Sequence, residues 1–151
     1  MKLYRFSPIQ NEKQLIETVN YIAIETTKLC KKVIGKKLSI NSLTVFSHYS
    51  DEYENIIKLL HKMGKKYSEH NGLCVILDKP IKVFGHTIQY LRIRKPDPYR
   101  MQVGCNDFVI ENYNSFKKTH LSNQHQNLRL IERTDYEMIE FFDPDFDVLA
   151  I

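Results

Sequence analysis

Residues 136–151 read YEMIEFFDPDFDVLAI, two short apolar runs joined by Asp143-Pro144-Asp145. Proline and aspartate favour a tight turn, so the runs form a hairpin of strands, YEMIEFF and DVLAI. In the first run Met138, Glu140 and Phe142 point one way, and Glu137, Ile139 and Phe141 the other. Both sides are largely apolar, the pattern of a strand covered on each face. Glu140 then sits among apolar neighbours, where a carboxylate is costly unless a cation, a metal or hydrogen-bond donors meet it.

Upstream of this hairpin, QVGCNDFVI (102–110) reads as a strand, NYNSFKKTHL as a short helix capped by Asn112, and NLRLIER as another strand. The same order occurs earlier in the chain. SLTVFSHY (42–49) is a strand, and Asp51 with Glu54 forms a capping box for a helix ending at Gly64. Strands follow at Leu73–Leu77, Lys82–Phe84 and His86–Arg94, broken at Asp78-Lys79-Pro80 and at Gly85. RKPDPYR then forms a loop, because its prolines disfavour regular structure. A longer helix over Asn11–Ile34 precedes all of this. Leu15, Val19, Ile22, Leu29 and Val33 line one face, Asn11 with Gln14 caps the start, and Gly35 stops the end. This helix reads as a scaffold packed on the rest, with a homodimer contact as the alternative use of its stripe.

The chain is therefore α+β, with two βαβββ modules (about 42–95 and 102–151) in one domain of residues 38–151. Residues 1–37 form a helical extension. The 151 residues suit one domain, or two half-size repeats sharing a core. No run approaches the roughly 18 apolar residues of a membrane span, so no membrane partner is expected. The N-terminal stretch MKLYRFSPIQNEK lacks the apolar run of a secretory signal. Cys30, Cys74 and Cys105 are scattered and odd in number, which reads as reduced thiols of a cytoplasmic protein.

Net charge is +4, unevenly spread. From Thr134 onward there are six acids and no Lys or Arg, so the preceding residues carry 22 basic against 12 acidic groups. A basic body suits an anionic ligand or nucleic acid. The nucleic-acid alternative would use the segment Arg92–Arg100, and the acidic C-terminal stretch argues against it. No glycine-rich phosphate cradle, nucleophile elbow or cysteine–histidine motif is present. His120 and His125 flank a polar loop and lack the further ligands a zinc pair needs.

Paired βαβββ modules resemble the vicinal oxygen chelate superfamily, the glyoxalase and bleomycin-resistance fold. FFDPDFDVLAI resembles its last hairpin. The N-terminal helix, GLCVILDKPI, and TIQYLRIRK followed by a proline-containing loop and VGCNDFVI resemble its YecM-like branch, proteins regarded as metal binders of unsettled activity. The resemblance implies ligands in mid-strand positions facing a cleft, and a metal-dependent lyase, isomerase or dioxygenase if the chain is an enzyme. By position these ligands fall on Thr44, Arg92 (or Gln89 with a shifted register), Asp107 and Ala150, of which only Asp107 is a good metal ligand.

Substitutes come from the residues themselves. His48, four residues beyond Thr44, together with Asp107 and Glu140 would make a site for Zn²⁺, Mn²⁺ or Fe²⁺. The plainer readings are a strand-end His48 in solvent, an ordinary hydrogen-bonding Asp107 near Gly104, and Glu140 paired with Arg92 or Arg94. A small anionic or metal-chelating ligand would be held by Thr44, Tyr90, Arg92, Arg94, Tyr99 and Arg100, since arginine meets carboxylate or phosphate bidentately.

Overall fold

The computed structural model describes residues 4–121 and 127–151; His125 lies outside them. Helix α1 (Glu12–Ile34) runs as its periodicity predicts. The Asn11 side chain accepts from the Gln14 backbone N–H, and Gly35, at φ 75°, donates back to the Lys31 carbonyl. All five stripe residues named above are buried. That stripe is spent inside the chain's own core and is not free for a dimer contact.

Strand β1 spans Ser39–Phe46, starting and ending three residues earlier than its apolar pattern suggested. Helix α2 (Ser50–Met63) follows with Tyr49 at its N-cap and no side-chain cap bond, so the Asp51/Glu54 capping box does not form. Strands β2 (Gly64–Glu69), β3 (Leu73–Val83) and β4 (His86–Arg94) complete the first half. β5 (Gly104–Val109), α3 (Tyr113–Leu121), β6 (Leu128–Glu132), β7 (Glu137–Phe141) and β8 (Val148–Ala150) make the second. The order strand, helix, three strands therefore occurs twice, but two strands of the first half differ from expectation. The exposed GKKYSE segment forms edge strand β2, and the two runs predicted on either side of Pro80 are one strand, β3. Its register with β4 shifts between Ile76 and Ile81, and Pro80 sits in that irregularity, where a missing N–H costs no ladder bond.

All eight strands join one mixed sheet in the order β2-β3-β4-β1-β5-β8-β7-β6. β1 lies parallel to β4, β5 lies parallel to β8, and β1 and β5 meet antiparallel at the centre. The two halves thus repeat one pairing scheme about that central contact.

The core lies on one face of the sheet. Leu15, Val19 and Ile22 of α1 with Ile56 and Leu60 of α2 pack on Leu43, Val45, Val75, Leu91 and Ile93. Leu29, Cys30 and Val33 of α1 with Phe116 of α3 pack on Leu128, Ile139, Phe141 and Ala150. Helix α1 is therefore not an appendage: it bridges the cores of both halves. Gly104 permits its close approach, because a β-carbon there would overlap the Thr44 carbonyl oxygen and Ile22 Cδ1. The residues alternating with these apolar positions project from the other face, which neither of these core clusters covers.

Candidate functional site on the open face of the sheet

Register places the side chains of that face in rows. Cys74 of β3 pairs with Arg92 of β4, Arg92 with Thr44 of β1, Thr44 with Cys105 of β5, and Cys105 with Leu149 of β8. Residues directly opposite in a sheet project on the same side, with strands about 4.8 Å apart. One row, Cys74–Arg92–Thr44–Cys105–Leu149, therefore crosses five strands. A second, Ile76–Tyr90–Ser42–Asp107, runs beside it.

The electrostatics show how closely these groups converge. Burial pushes the Asp107 carboxyl above the usual aspartate range, while a hydrogen bond with Ser42 and the charge of Arg92 pull it back. Asp107 is open to solvent at its rim, yet its neighbours crowd the carboxyl enough for desolvation to lead. Cys105 is pushed up to about 12 by burial, with Asp107 and Glu140 adding and Thr44 and Arg94 opposing. Burial also raises Cys74, against Arg92 and Ser68. Burial thus favours the thiol form of both cysteines. Cys74 stands beside Arg92 and Cys105 beside Thr44 in the row.

Arg92 is positioned rather than loose. Its Nη1 donates to the His70 carbonyl, and Nη2 lies 3.4 Å from Ser68 Oγ. The Arg94 guanidinium lies 4.8 Å from the Phe46 ring centre, and the Tyr90 ring 5.0 Å from that of Tyr67. Thr44, Tyr90, Arg92, Arg94 and Asp107 are therefore brought together on one face. Tyr99 and Arg100 are not: they sit on the exposed loop after β4, where both backbone N–H groups are tied to Asp97. The sequence reading missed Ser42, Cys74 and Cys105, because nothing local marks them; only the pairing of four strands places them beside Arg92.

Three expected partners lie elsewhere. His48 falls beyond β1, so it does not share a strand face with Thr44, and it is not in solvent either, being 4% exposed. Its ring stacks on Tyr4 at 3.9 Å and its Nδ1 lies 2.7 Å from Ser7 Oγ, which donates to Glu52 Oε1. Glu140 does meet an arginine, but neither Arg92 nor Arg94: Arg129, directly opposite on β6, places Nη2 2.7 Å from its Oε1. Ala150 faces the helices and is fully buried; the neighbouring Leu149 takes the open side. His48, Asp107 and Glu140 are consequently not assembled. Among the described residues no three His, Cys, Asp or Glu side chains are grouped to hold a metal ion. Nor is any helix among them long and apolar enough to cross a membrane.

Among the described residues, fold and site together define an α+β protein with one eight-stranded mixed sheet, three helices against one face and an arginine-bearing other face. Among solved structures the chain is similar to "Structural Genomics, Protein EC4020", with a TM-score of 0.66 and 14% identity over 94% of this chain and 91% of that one. At such low identity the likeness speaks for the fold alone. No protein-family model and no curated protein matches the chain.

Proposed function

We propose that this chain is a vicinal-oxygen-chelate-like protein whose open sheet face binds a small anionic ligand, with Arg92 as its anchor. The carrying observation is the row in which Arg92 stands between Cys74 and Thr44, with Ser42 and Asp107 alongside. An oriented guanidinium bordered by hydroxyl and thiol donors matches a carboxylate or a phosphate. The repeated pairing about β1 and β5 supports the superfamily reading, which places ligands on such a face. A divalent metal, in this reading, arrives as a chelate with the ligand, since the face offers Asp107 but no assembled protein ligand set. A nucleic-acid backbone suits the face less well, because Asp107 and Glu140 share it with the arginines. Thermal shift with small dicarboxylates, phosphosugars and divalent metals tests this: a ligand at 100 times its Kd stabilises by about 2.7 kcal/mol. Stabilisation by an anion, lost in Arg92→Ala, supports the proposal; no response to any anion sinks it.

A further inference from the structure

A concavity of about 580 Å³ opens between the Met101–Gln102 segment and the β7–β8 hairpin. That volume is within the range of small-molecule sites. Much of its wall is apolar, formed by Met101, Phe142, Phe146 and Leu149, and Glu140 and Arg129 also line it. Its charge is the reverse of the Arg92 row. Among the described residues, Glu140, Asp143 and Asp147 line it with one cation, Arg129. Two of those carboxylates are already matched from other sides. Asp143 meets Lys32 at 2.6 Å, and Asp147 meets Arg5 at 2.7 Å and the Tyr21 hydroxyl at 2.5 Å.

Glu140 differs from them. It is 5% exposed, and its partner is the half-exposed Arg129, whose guanidinium lies 4.9 Å from the Phe142 ring centre and engages Oε1. A buried carboxylate beside an aromatic face is the receptor chemistry of organic cations. Here a side chain of edge strand β6, itself largely in water, fills that receptor. Such an arm is displaceable, because it gives up one hydrogen bond and one ring contact and returns to solvent.

We infer that this concavity is a binding site for a small organic cation, an amine or guanidinium on an apolar body. The cationic head replaces the Arg129 guanidinium between Glu140 and Phe142, and the body lies against Met101, Phe146 and Leu149. The site lies on the same face as Arg92 but four strands along from it, at the β7–β8 end, and carries the opposite preference.

Calorimetric titration with phenylguanidine, and with phenylacetate as an anion of similar size, tests it. Phenylguanidine should bind the wild type, bind Arg129→Ala about tenfold more tightly because the internal competitor is gone, and fail to bind Glu140→Gln. Phenylacetate should show no binding that survives Arg92→Ala, and Arg92→Ala should leave the cation affinity unchanged. If Arg129→Ala is too unstable to titrate, Arg129→Met keeps the stem and removes the charge. The melting temperature of either variant should then rise more with phenylguanidine than that of the wild type. Equal cation affinity with and without the Arg129 charge, cation binding that survives Glu140→Gln, binding of phenylacetate to the Arg92→Ala protein, or no binding of the cation at all would each overturn the inference.

Discussion

Arg129 and Glu140 face each other across the β6–β7 pair, Nη2 2.7 Å from Oε1, and they differ sharply in exposure, 57% against 6% for the side chains. The two halves of this ion pair are therefore not equivalent. Losing the arginine leaves a charge buried beside Phe142 without its donor, whereas losing the carboxylate releases an arginine already largely in water. Arg129→Ala should cost about 1–2 kcal/mol, and Glu140→Gln less, because a buried unpaired charge is the expensive case and an exposed partner discounts the pair. Urea unfolding of both variants checks the order. Equal costs, or both under about 0.5 kcal/mol, would show that Glu140 does not depend on this partner.

Glu52 should be among the costliest single positions to alter. It is 2% exposed and accepts from Ile9 N–H at 2.7 Å, His48 N–H at 2.8 Å and Ser7 Oγ at 3.1 Å. It thereby ties residues 7–9 to the start of α2. Tyr4 carries the tie further, stacking on His48 and donating its hydroxyl to the Pro98 carbonyl at 2.6 Å. Glu52→Ala strands several buried donors, so a loss of about 3 kcal/mol or more is expected. Hydrogen exchange should show the Ile9 and His48 amides opening together in this variant. Unchanged protection there would mean that the N-terminal segment is held by packing alone.

Two aspartates should respond to pH in opposite senses. Lys32 holds Asp143 below the usual aspartate range, aided by the Asp145 backbone N–H. Its contribution is present above the unfolded-state pKa and is lost as pH falls through the folded value. Asp107 is raised, chiefly by burial. Its contribution is present at low pH and is lost as pH rises through the folded value. Asp143→Asn should therefore destabilise at pH 7, and Asp107→Asn should stabilise there. Both differences from the wild type should shrink as pH is lowered. Denaturant unfolding across pH 2–8 reads both, and a destabilising Asp107→Asn at neutral pH would contradict the crowding of that carboxyl.

How much of this was legible from residues follows from which interactions are local. Helix α1 was readable end to end, because Asn11, the apolar stripe and Gly35 are all signals within one element. Strand β4 and the faces of β7 were readable from alternation. Strand β2 was not, since an edge strand needs no apolar face and GKKYSE shows none. Nor was the unity of β3, because Pro80 reads as a stop until a bulge accommodates it. The repeat emerged nonetheless, because one missed strand and one split strand left the count unchanged. The arginine partner of Glu140 was within reach: a tight turn between NLRLIER and YEMIEFF sets Arg129 opposite it. The row around Arg92 was not, since Cys74, Thr44 and Cys105 are distant in sequence and only the strand order makes them neighbours.

The same face carries the sharpest functional prediction, because on the proposed function Asp107 and an incoming anion would compete for Arg92. When ionised, Asp107 draws on the arginine's charge and repels a carboxylate or phosphate placed beside Ser42 and Thr44; when protonated it does neither. Its raised pKa puts that change above the ordinary aspartate range, so anion affinity should strengthen as pH is lowered through it. Asp107→Asn should give the stronger affinity at neutral pH and abolish the pH dependence. Arg92→Ala should remove binding. Arg92→Lys should retain charge but lose the fork geometry and the hold on Ser68, weakening binding by about tenfold or more. Titration of the best anion from a thermal-shift panel, at several pH values on the wild type and these three variants, measures all of it. Affinity that is flat with pH in the wild type, or intact in Arg92→Ala, would place the anion somewhere other than this face.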